Sequence, residues 1–162
     1  MSGGPSPVGR QRIRDAIMRG PYGVHLGMQL ATLEADHAVV QLPWQPQLGN
    51  GAGIVHGGAI ASLIDTAATA AAWTSPSVVE ATRGATVGFS VNYLSPGLEG
   101  CCLSADATVL RRGGSLTVVD VLVTDDDGHK IARAVVTYKL GGGGVSGTRF
   151  DGSTVGRDTE RR

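Results

Sequence analysis

One apolar segment constrains the fold of this chain more than any other feature. Residues 57–73, GGAIASLIDTAATAAAW, are almost entirely small or apolar, which is typical of a buried helix. Asp65 nevertheless lies near the centre of the segment, and no Lys or Arg occurs between Gly53 and Thr82. Burial of an unpaired carboxylate is strongly unfavourable. Asp65 therefore needs a polar or hydrated environment on an otherwise buried helix.

The polar residues of this helix share one side. Positions i, i+3, i+4 and i+7 form a single stripe, made of Ser62, Asp65, Thr66 and Thr69. Two interpretations are open. In the first, the hydroxyls bond to carbonyls one turn earlier and Asp65 caps a local group. In the second, the stripe lines a hydrated groove and Asp65 faces whatever occupies that groove.

The start of the helix carries a second signal. His56 is followed by Gly57 and Gly58, so the first helical turn has little side-chain cover. The first N–H groups of a helix lack intrahelical partners and form its positive end. Glycine lets another group approach the backbone closely, so such a turn can stabilise a developing oxyanion. An ordinary helix start is the alternative.

Strand patterns flank the helix on both sides. Between Leu26 and Leu42, apolar runs broken at 34–37 predict two strands or one bent strand. After the helix, ATVGFSVNYLS (85–95) alternates with period 2. The alternation predicts one face with Val87, Phe89, Val91 and Tyr93, and an opposite face with Thr86, Gly88, Ser90 and Asn92.

Three further strands are predicted at 103–110, 115–124 and 130–140. Short turns separate them, so they should pair antiparallel. The order of elements is strands, one long helix, then four strands in a meander. A helix that is apolar almost all round must be covered on most sides. The sequence therefore predicts an α+β fold with one antiparallel sheet curled around a single central helix.

Composition and charge narrow the class further. The chain has 162 residues, a net charge of +0 and 41% hydrophobic residues, which fits one domain without a nucleic-acid or anionic-membrane partner. The longest apolar stretch contains Asp65 and is too short for a membrane span. Cys101 and Cys102 are adjacent and do not bridge each other, so free thiols without an export signal predict a cytoplasmic protein.

The chain divides into three predicted parts. Residues 1–20 form an N-terminal extension with a short amphipathic helix at 9–19, and residues 21–140 form the folded domain. Residues 141–162 are Gly-rich and polar without a periodic face, which predicts a disordered tail.

The segment GNGAGIVHGGAIASLIDTAATAAA resembles the central motif of HotDog-fold acyl-CoA thioesterases of the PaaI (phenylacetate-pathway) type. Those proteins carry an Asn, then HGG at the start of the central helix, then an Asp two turns further on. The segments at 85–97 and 110–140 resemble the post-helix strand and closing strands of the same family. The resemblance covers about residues 21–140. It implies the HotDog fold and hydrolysis of acyl-CoA thioesters, with coenzyme A as part of the substrate and no cofactor.

The resemblance also implies roles for individual residues. Gly57 would donate its backbone N–H to the thioester carbonyl, and Asp65 would act as general base or nucleophile. Asn50 would position water or substrate, and His56 would hold the start of the helix. Thr86 would assist the carboxylate from the strand that follows the helix.

Contacts to coenzyme A are implied at two places. Gly58 lies at the helix start, and Arg111, Arg112 and Gly113 lie at the turn after the predicted strand 103–110. The run RRGGS departs from the family pattern, because it has a second Gly where many members have Arg or Lys. The resemblance does not choose between an aryl and a fatty acyl group.

The spacing of Gly57 and Asp65 predicts an oligomer. Eight residues of helix span about 12 Å, whereas a catalytic carboxylate must lie within about 3 Å of its target. One helix cannot bring both residues to one thioester, but two antiparallel helices can. We therefore expect a homodimer, or a dimer of dimers, with two equivalent sites shared between subunits.

Two other functions compete with thioester hydrolysis. One is a hydratase or dehydratase of the same fold, which would use a catalytic His in a motif that is not found here. The other is a non-catalytic acyl-CoA-binding module, which would keep the groove but would not need Asp65.

Overall fold

A single long helix, α3 (Gly57–Ala72), lies at the centre of the structure. The computed structural model describes residues 4–142, and the predicted disorder of the tail lies outside them from residue 143 onward. Helix α3 contacts all six strands of one antiparallel sheet. Eight of its residues are buried: Ile60, Leu63, Ile64, Ala67, Ala68, Ala70, Ala71 and Ala72. The predicted α+β architecture is confirmed.

Two short helices precede the sheet. Helix α1 (Pro7–Arg12) continues as a π-helical turn, Ile13–Met18, and α2 (Pro21–Leu26) follows it. The Ser6 hydroxyl caps α1 by accepting a hydrogen bond from the Gly9 N–H at 3.0 Å. Ile13 is completely buried in the core. The N-terminal segment therefore packs onto the domain rather than standing apart from it.

The sheet contains six strands in the order β1-β2-β4-β5-β6-β3. Their bounds are Gln29–Glu34 (β1), His37–Leu42 (β2), Thr82–Tyr93 (β3), Leu103–Arg112 (β4), Leu116–Thr124 (β5) and Lys130–Gly142 (β6). The segment between Leu26 and Leu42 thus forms two strands, and β4, β5 and β6 pair antiparallel as expected. None of the helices within residues 4–142 has the length and hydrophobicity needed to cross a membrane.

The prediction of a four-strand meander is wrong for β3. This strand pairs with β6 at the edge of the sheet and does not neighbour β4, which follows it in the chain. The segment 94–102 is longer than a hairpin turn and carries the chain from β3 to β4, so no local signal required the two strands to pair.

Arg112 holds the C-terminal end of α3. Its guanidinium donates to the carbonyl oxygens of Ala72 at 2.8 Å and Ala71 at 3.2 Å. It also donates to the Thr74 hydroxyl at 3.0 Å and to the Asp36 carboxylate at 2.6 Å. A cation at this end satisfies free carbonyls and interacts favourably with the helix dipole. Asp36 lies in the β1–β2 turn, so Arg112 ties this turn to the helix.

Replacement of Arg112 by Ala should therefore destabilise the protein. Four hydrogen bonds are lost at a largely covered site, and we expect a loss of about 1–3 kcal/mol in the free energy of unfolding. Urea unfolding at one fixed protein concentration measures this loss. Arg111→Ala is the matched control, because the neighbouring side chain is exposed and should change stability by less than about 0.5 kcal/mol. Equal losses in the two variants would contradict the assignment.

Candidate active site

Asp65 is paired with a hydroxyl group from the sheet. The Thr86 Oγ1 donates a hydrogen bond to the Asp65 Oδ1 at 2.6 Å. Asp65 is only half-buried, as are Ser62, Thr66 and Thr69, while the rest of the helix from Ile60 is largely covered. The polar stripe therefore lies on the side of α3 that the described residues leave open. The Asp65 carboxylate has one oriented hydrogen-bond donor, the Thr86 hydroxyl, and is accessible to solvent.

A β-bulge is what turns Thr86 towards the helix. Thr86 lies opposite Tyr138 and Gly88 lies opposite Thr137, so Val87 is an extra residue in β3. The extra residue shifts the alternation by one position, so even-numbered residues before the bulge face the same side of the sheet as odd-numbered residues after it. Thr86 and Phe89 both face α3, whereas Val87 is 61% exposed. The predicted alternation is thus wrong for Thr86 and Val87 but keeps Phe89, Val91 and Tyr93 on one face.

The start of α3 is organised by His56. This residue is the N-cap, and its Nδ1 accepts a hydrogen bond from the Gly58 N–H at 2.9 Å. A Cβ on Gly58 would lie 2.9 Å from the same nitrogen, so glycine permits this contact. The N–H groups of Ala59 and Ile60 both donate to the His56 carbonyl. Within residues 4–142 the Gly57 N–H has no acceptor and remains available to a ligand.

Tyr93 borders this free N–H group, and sequence reasoning did not single it out. Its hydroxyl donates to the Gly57 carbonyl at 2.9 Å, and its ring lies where a Cβ on Gly57 would touch it at 3.4 Å. Tyr93 is 51% exposed despite these contacts. A group bound at the Gly57 N–H would therefore lie close to this phenol.

Asn50 lies in the loop before the helix. Its Oδ1 accepts a hydrogen bond from the Ala52 N–H at 2.9 Å, and its own N–H donates to the Ile54 carbonyl at 3.0 Å. The side chain is exposed, and its amide nitrogen has no partner among the described residues. The structure therefore fixes the loop around Asn50 and leaves both N–H donors of its side-chain amide without a partner among the described residues.

A buried network lies behind Asp65. The Trp73 Nε1–H donates to the Tyr138 hydroxyl at 2.8 Å, and Tyr138 lies opposite Thr86 in the sheet. Burial raises the pKa of the Tyr138 phenol, and the charge of Asp65 adds to the rise. The phenol thus stays neutral beside the carboxylate. Gly84 is the residue in the sequence that could have indicated a close contact in this strand, because a Cβ at this position would lie 2.6 Å from the Tyr138 ring.

The residues predicted to contact coenzyme A lie at both ends of the helix. Gly58 is at the start, whereas Arg111, Arg112 and Gly113 are at the end where Arg112 caps Ala71 and Ala72. Arg112 uses most of its donors within the protein, and the Gly113 N–H donates to the Leu116 carbonyl at 2.7 Å. Arg111 is exposed and has no polar partner among residues 4–142. Their contact with coenzyme A stays a prediction.

The surroundings of the two cysteines disfavour their thiolate forms. Burial raises the pKa of both thiols, and Asp126 raises both further by charge repulsion. Cys101 also lies near the Asp125 carboxylate, which raises its pKa in the same way. Because the thiolate is the nucleophile, these surroundings do not favour a catalytic role for either cysteine.

Comparison with known proteins identifies the family of this chain. A family model described as the thioesterase superfamily matches residues 52–132. A curated relative, the medium/long-chain acyl-CoA thioesterase YigI of Escherichia coli, is 33% identical over 134 residues, covering 75% of this chain and 86% of its own length.

Solved structures share the fold. A thioesterase family protein from Silicibacter pomeroyi has a TM-score of 0.75 and 29% identity, covering 83% of this chain and 99% of its own. The Escherichia coli PaaI protein from the phenylacetic acid degradation operon has a TM-score of 0.72 and 24% identity, covering 83% and 94%.

This chain belongs to the thioesterase superfamily and is a thioester hydrolase with the HotDog fold. The resemblance to PaaI-type thioesterases seen in the sequence is confirmed at the level of family and fold. The roles of the individual site residues stay predictions.

Loss of the Thr86 hydroxyl should slow turnover without weakening substrate binding. A hydrogen bond to a charged group contributes about 1.5 kcal/mol, so Thr86→Val should lower kcat about tenfold. Thr86→Ser keeps the hydroxyl and is the matched control, which should retain most of the activity. Steady-state kinetics with one thioester substrate separate kcat from KM. A threefold or larger rise in KM with unchanged kcat would contradict a role in orienting Asp65.

Proposed function

We propose that this chain hydrolyses acyl-CoA thioesters, with Asp65 as the catalytic carboxylate and the Gly57 N–H as the oxyanion donor. The observation that carries the proposal is the half-buried Asp65 held by Thr86 at 2.6 Å on the open side of the helix. The free N–H at the glycine-rich helix start supplies the complementary group. The relative named as an acyl-CoA thioesterase supports coenzyme A as the leaving group.

The site is completed by a second copy of the chain. Gly57 and Asp65 are both in α3 and are separated by about 12 Å of helix axis. An antiparallel α3 from a partner brings its helix start to the middle of this helix. Each carboxylate then faces the partner's free N–H group, which gives two equivalent sites across a two-fold axis.

The edge strand β3 supports such a dimer. It has 12 residues and pairs only with β6 among the described strands, so its other edge presents unpaired backbone groups. Val87, Phe89 and Tyr93 on this strand are 61%, 41% and 51% exposed. An exposed edge with large apolar side chains is suited to pairing with a copy of itself. We propose a homodimer, which can pair further into a tetramer.

The chemistry follows from these positions. Water attacks the thioester carbonyl carbon and its proton passes to Asp65, while the N–H of Gly57 of the partner subunit stabilises the developing oxyanion. The C–S bond then breaks, and the coenzyme A sulfur receives the proton. Alternatively, Asp65 attacks the carbonyl carbon directly and the C–S bond breaks, which releases coenzyme A as a thiolate and leaves an anhydride. Water then hydrolyses the anhydride, which regenerates the Asp65 carboxylate and supplies the proton that the thiolate takes up. We propose that neither route needs a cofactor, because coenzyme A enters as part of the substrate.

Arg111, near the end of strand β4, is the residue that we propose for binding the phosphates of coenzyme A. Its side chain is exposed, whereas that of Arg112 is bonded to the end of α3.

Asp65→Asn should abolish most of the turnover without unfolding the protein. A missing general base costs about 10²- to 10⁴-fold in kcat, while the amide keeps the size of the side chain and can still accept from Thr86. Release of free coenzyme A from acyl-CoA substrates measures the activity, and thermal unfolding controls for the fold. Near-native turnover in a folded variant would assign catalysis to another residue.

Complementation between two inactive variants tests the shared site. Gly57→Pro removes the oxyanion N–H, and His56 at φ −62° and ψ 134° already has the backbone conformation that a following proline requires. Asp65→Asn and Gly57→Pro chains are unfolded, mixed and refolded. Random pairing gives about half mixed dimers, each with one intact site, so about a quarter of wild-type activity should return.

The outcome separates a shared site from a site within one chain. If base and donor came from one subunit, every site would keep one defect and mixing would restore nothing. Native mass spectrometry confirms that mixed dimers have formed. Activity that stays at the level of the parents, with mixed dimers present, would rule out the two-chain mechanism.

A further inference from the structure

The first turn of α3 has no side chains of its own to hold it in place. Gly57 and Gly58 occupy the first two positions of the helix, and Gly58 is exposed to solvent. Glycine populates more backbone conformations than any other residue. An oxyanion donor, by contrast, acts through a direction that is fixed before the reaction begins. The orientation of the Gly57 N–H must therefore come from bonds to the neighbouring peptide groups.

Three of these bonds are local to the helix start. The Gly58 N–H donates to the His56 Nδ1 at 2.9 Å, and the Ala59 N–H donates to the His56 carbonyl at the same distance. The Ser62 hydroxyl donates to the Gly58 carbonyl, also at 2.9 Å. Residues 56–62 supply every donor and acceptor of this set. The three bonds therefore shape the turn but do not fix it relative to the sheet.

Tyr93 joins the turn to the sheet. Its hydroxyl donates to the Gly57 carbonyl at 2.9 Å across 36 residues of sequence. Its ring lies so close to Gly57 that a Cβ there would contact it at 3.4 Å. The backbone of Tyr93 is itself held in β3, where it lies opposite Ala132 of β6. One side chain of the sheet therefore makes two contacts with the residue that carries the free N–H.

The bond from Tyr93 is additional to the helical pattern. Gly57 is the first residue of α3, and the carbonyl at that position accepts from the N–H four residues later. A carbonyl oxygen has two lone pairs, so it can accept both bonds. Loss of the phenol hydroxyl would leave this carbonyl paired, and the fold should tolerate the loss. The bond from Tyr93 thus adds a fixed orientation of the first turn.

We propose that Tyr93 is a positioning residue of the oxyanion site. Its bond to the Gly57 carbonyl and its ring against the same residue hold the first turn of α3, so that the Gly57 N–H keeps one direction towards a bound thioester carbonyl. Tyr93 acts through Gly57 and transfers no proton in the reaction. This inference rests on the proposed function, because it takes the Gly57 N–H as the oxyanion donor.

Steady-state kinetics of Tyr93→Phe provide the first test, because this variant keeps the ring and loses the hydroxyl. The kcat for coenzyme A release should fall about three- to tenfold, the effect of one neutral hydrogen bond, while KM stays within about twofold. This split is expected because the oxyanion forms only in the transition state. An unchanged kcat in the folded variant, with only a lower melting temperature, would show a purely structural role and overturn the proposal.

Tyr22→Phe is the matched control. It removes a phenol hydroxyl of similar exposure, since Tyr22 is 59% and Tyr93 51% exposed, and the partner of Tyr22 is the Ser62 hydroxyl at 2.6 Å. Ser62 keeps its own bond to the Gly58 carbonyl in this variant. The kcat should therefore change less than about twofold. Equal losses of kcat in Tyr22→Phe and Tyr93→Phe would overturn the specific role of Tyr93.

A double-mutant cycle tests whether Tyr93 acts through the Gly57 N–H. Gly57→Pro removes that group, and a Cβ at this position lies in ordinary contact with the Tyr93 ring. In the Gly57→Pro background, Tyr93→Phe should lower kcat less than about twofold, because no donor is left to position. An equal fall in both backgrounds would assign to Tyr93 a direct contact with the substrate and overturn the positioning role.

Backbone dynamics give a measurement that needs no substrate. NMR relaxation of ¹⁵N-labelled wild-type protein should give the Gly57 amide an order parameter near the value of about 0.85 for rigid backbone. Tyr93→Phe should lower this order parameter by about 0.1 or more, because the turn loses its bond to the sheet. Tyr22→Phe should leave it unchanged.

The kinetic and NMR measurements separate this inference from the proposed function. If the wild-type protein hydrolyses no thioester, the proposed function fails and the order parameters alone decide the positioning role. If the wild-type protein is active and Tyr93→Phe matches it in both kcat and order parameter, the positioning role is overturned while the function stands. In an active protein, a change in either quantity without the other would also overturn the role, since positioning requires both.

Discussion

The close packing of the sheet on α3 is the interaction on which the rest of the structure depends. Ala67, Ala68 and Ala71 are completely buried, and small side chains on the strands, such as Ala105 and Ala107, are buried beneath them. Small residues on both surfaces let strands approach a helix closely, so one sheet can contact it from several sides. The side that the described strands leave uncovered carries Asp65 and the other polar residues. The candidate catalytic residues therefore lie where the sheet leaves the helix uncovered.

Two β-bulges then decide which side chains reach the helix. Val87 is the extra residue in β3, and Leu110 is the extra residue in β4. Without the first bulge Thr86 would point away from Asp65, and without the second Arg111 rather than Arg112 would face the helix end. A bulge shifts by one residue the alternation of side chains between the two faces of a strand. One inserted residue in each strand therefore supplies a partner for the carboxylate and a cap for the helix terminus.

The sequence predicts the parts of this fold that have a local signal. The helix at 57–73 and the hairpins of β4, β5 and β6 follow from periodicity and turns, and Asp65 is conspicuous as a charge in an apolar run. The place of β3 beside β6 depends on contacts distant in sequence and has no such signal. A bulge leaves the alternating letters at 85–95 unchanged, so Thr86 is assigned to the wrong face. For Ser62 the local interpretation of the stripe is correct, since its hydroxyl donates to the Gly58 carbonyl, and the same oxygen also lies 2.6 Å from the Tyr22 hydroxyl.

The charge of Asp65 links assembly to chemistry in the proposed dimer. Within residues 4–142 Asp65 forms no ion pair, and the Thr86 hydroxyl is its one side-chain donor. A single neutral donor compensates a half-buried carboxylate only in part. The start of the partner's α3 would bring unpaired N–H groups and the positive end of a helix dipole towards it. The same approach would cover the apolar edge of β3. Dimerisation would thus stabilise the carboxylate and complete the oxyanion site in one step, whereas a monomer would retain an unfavourable charge with no partner for its catalysis.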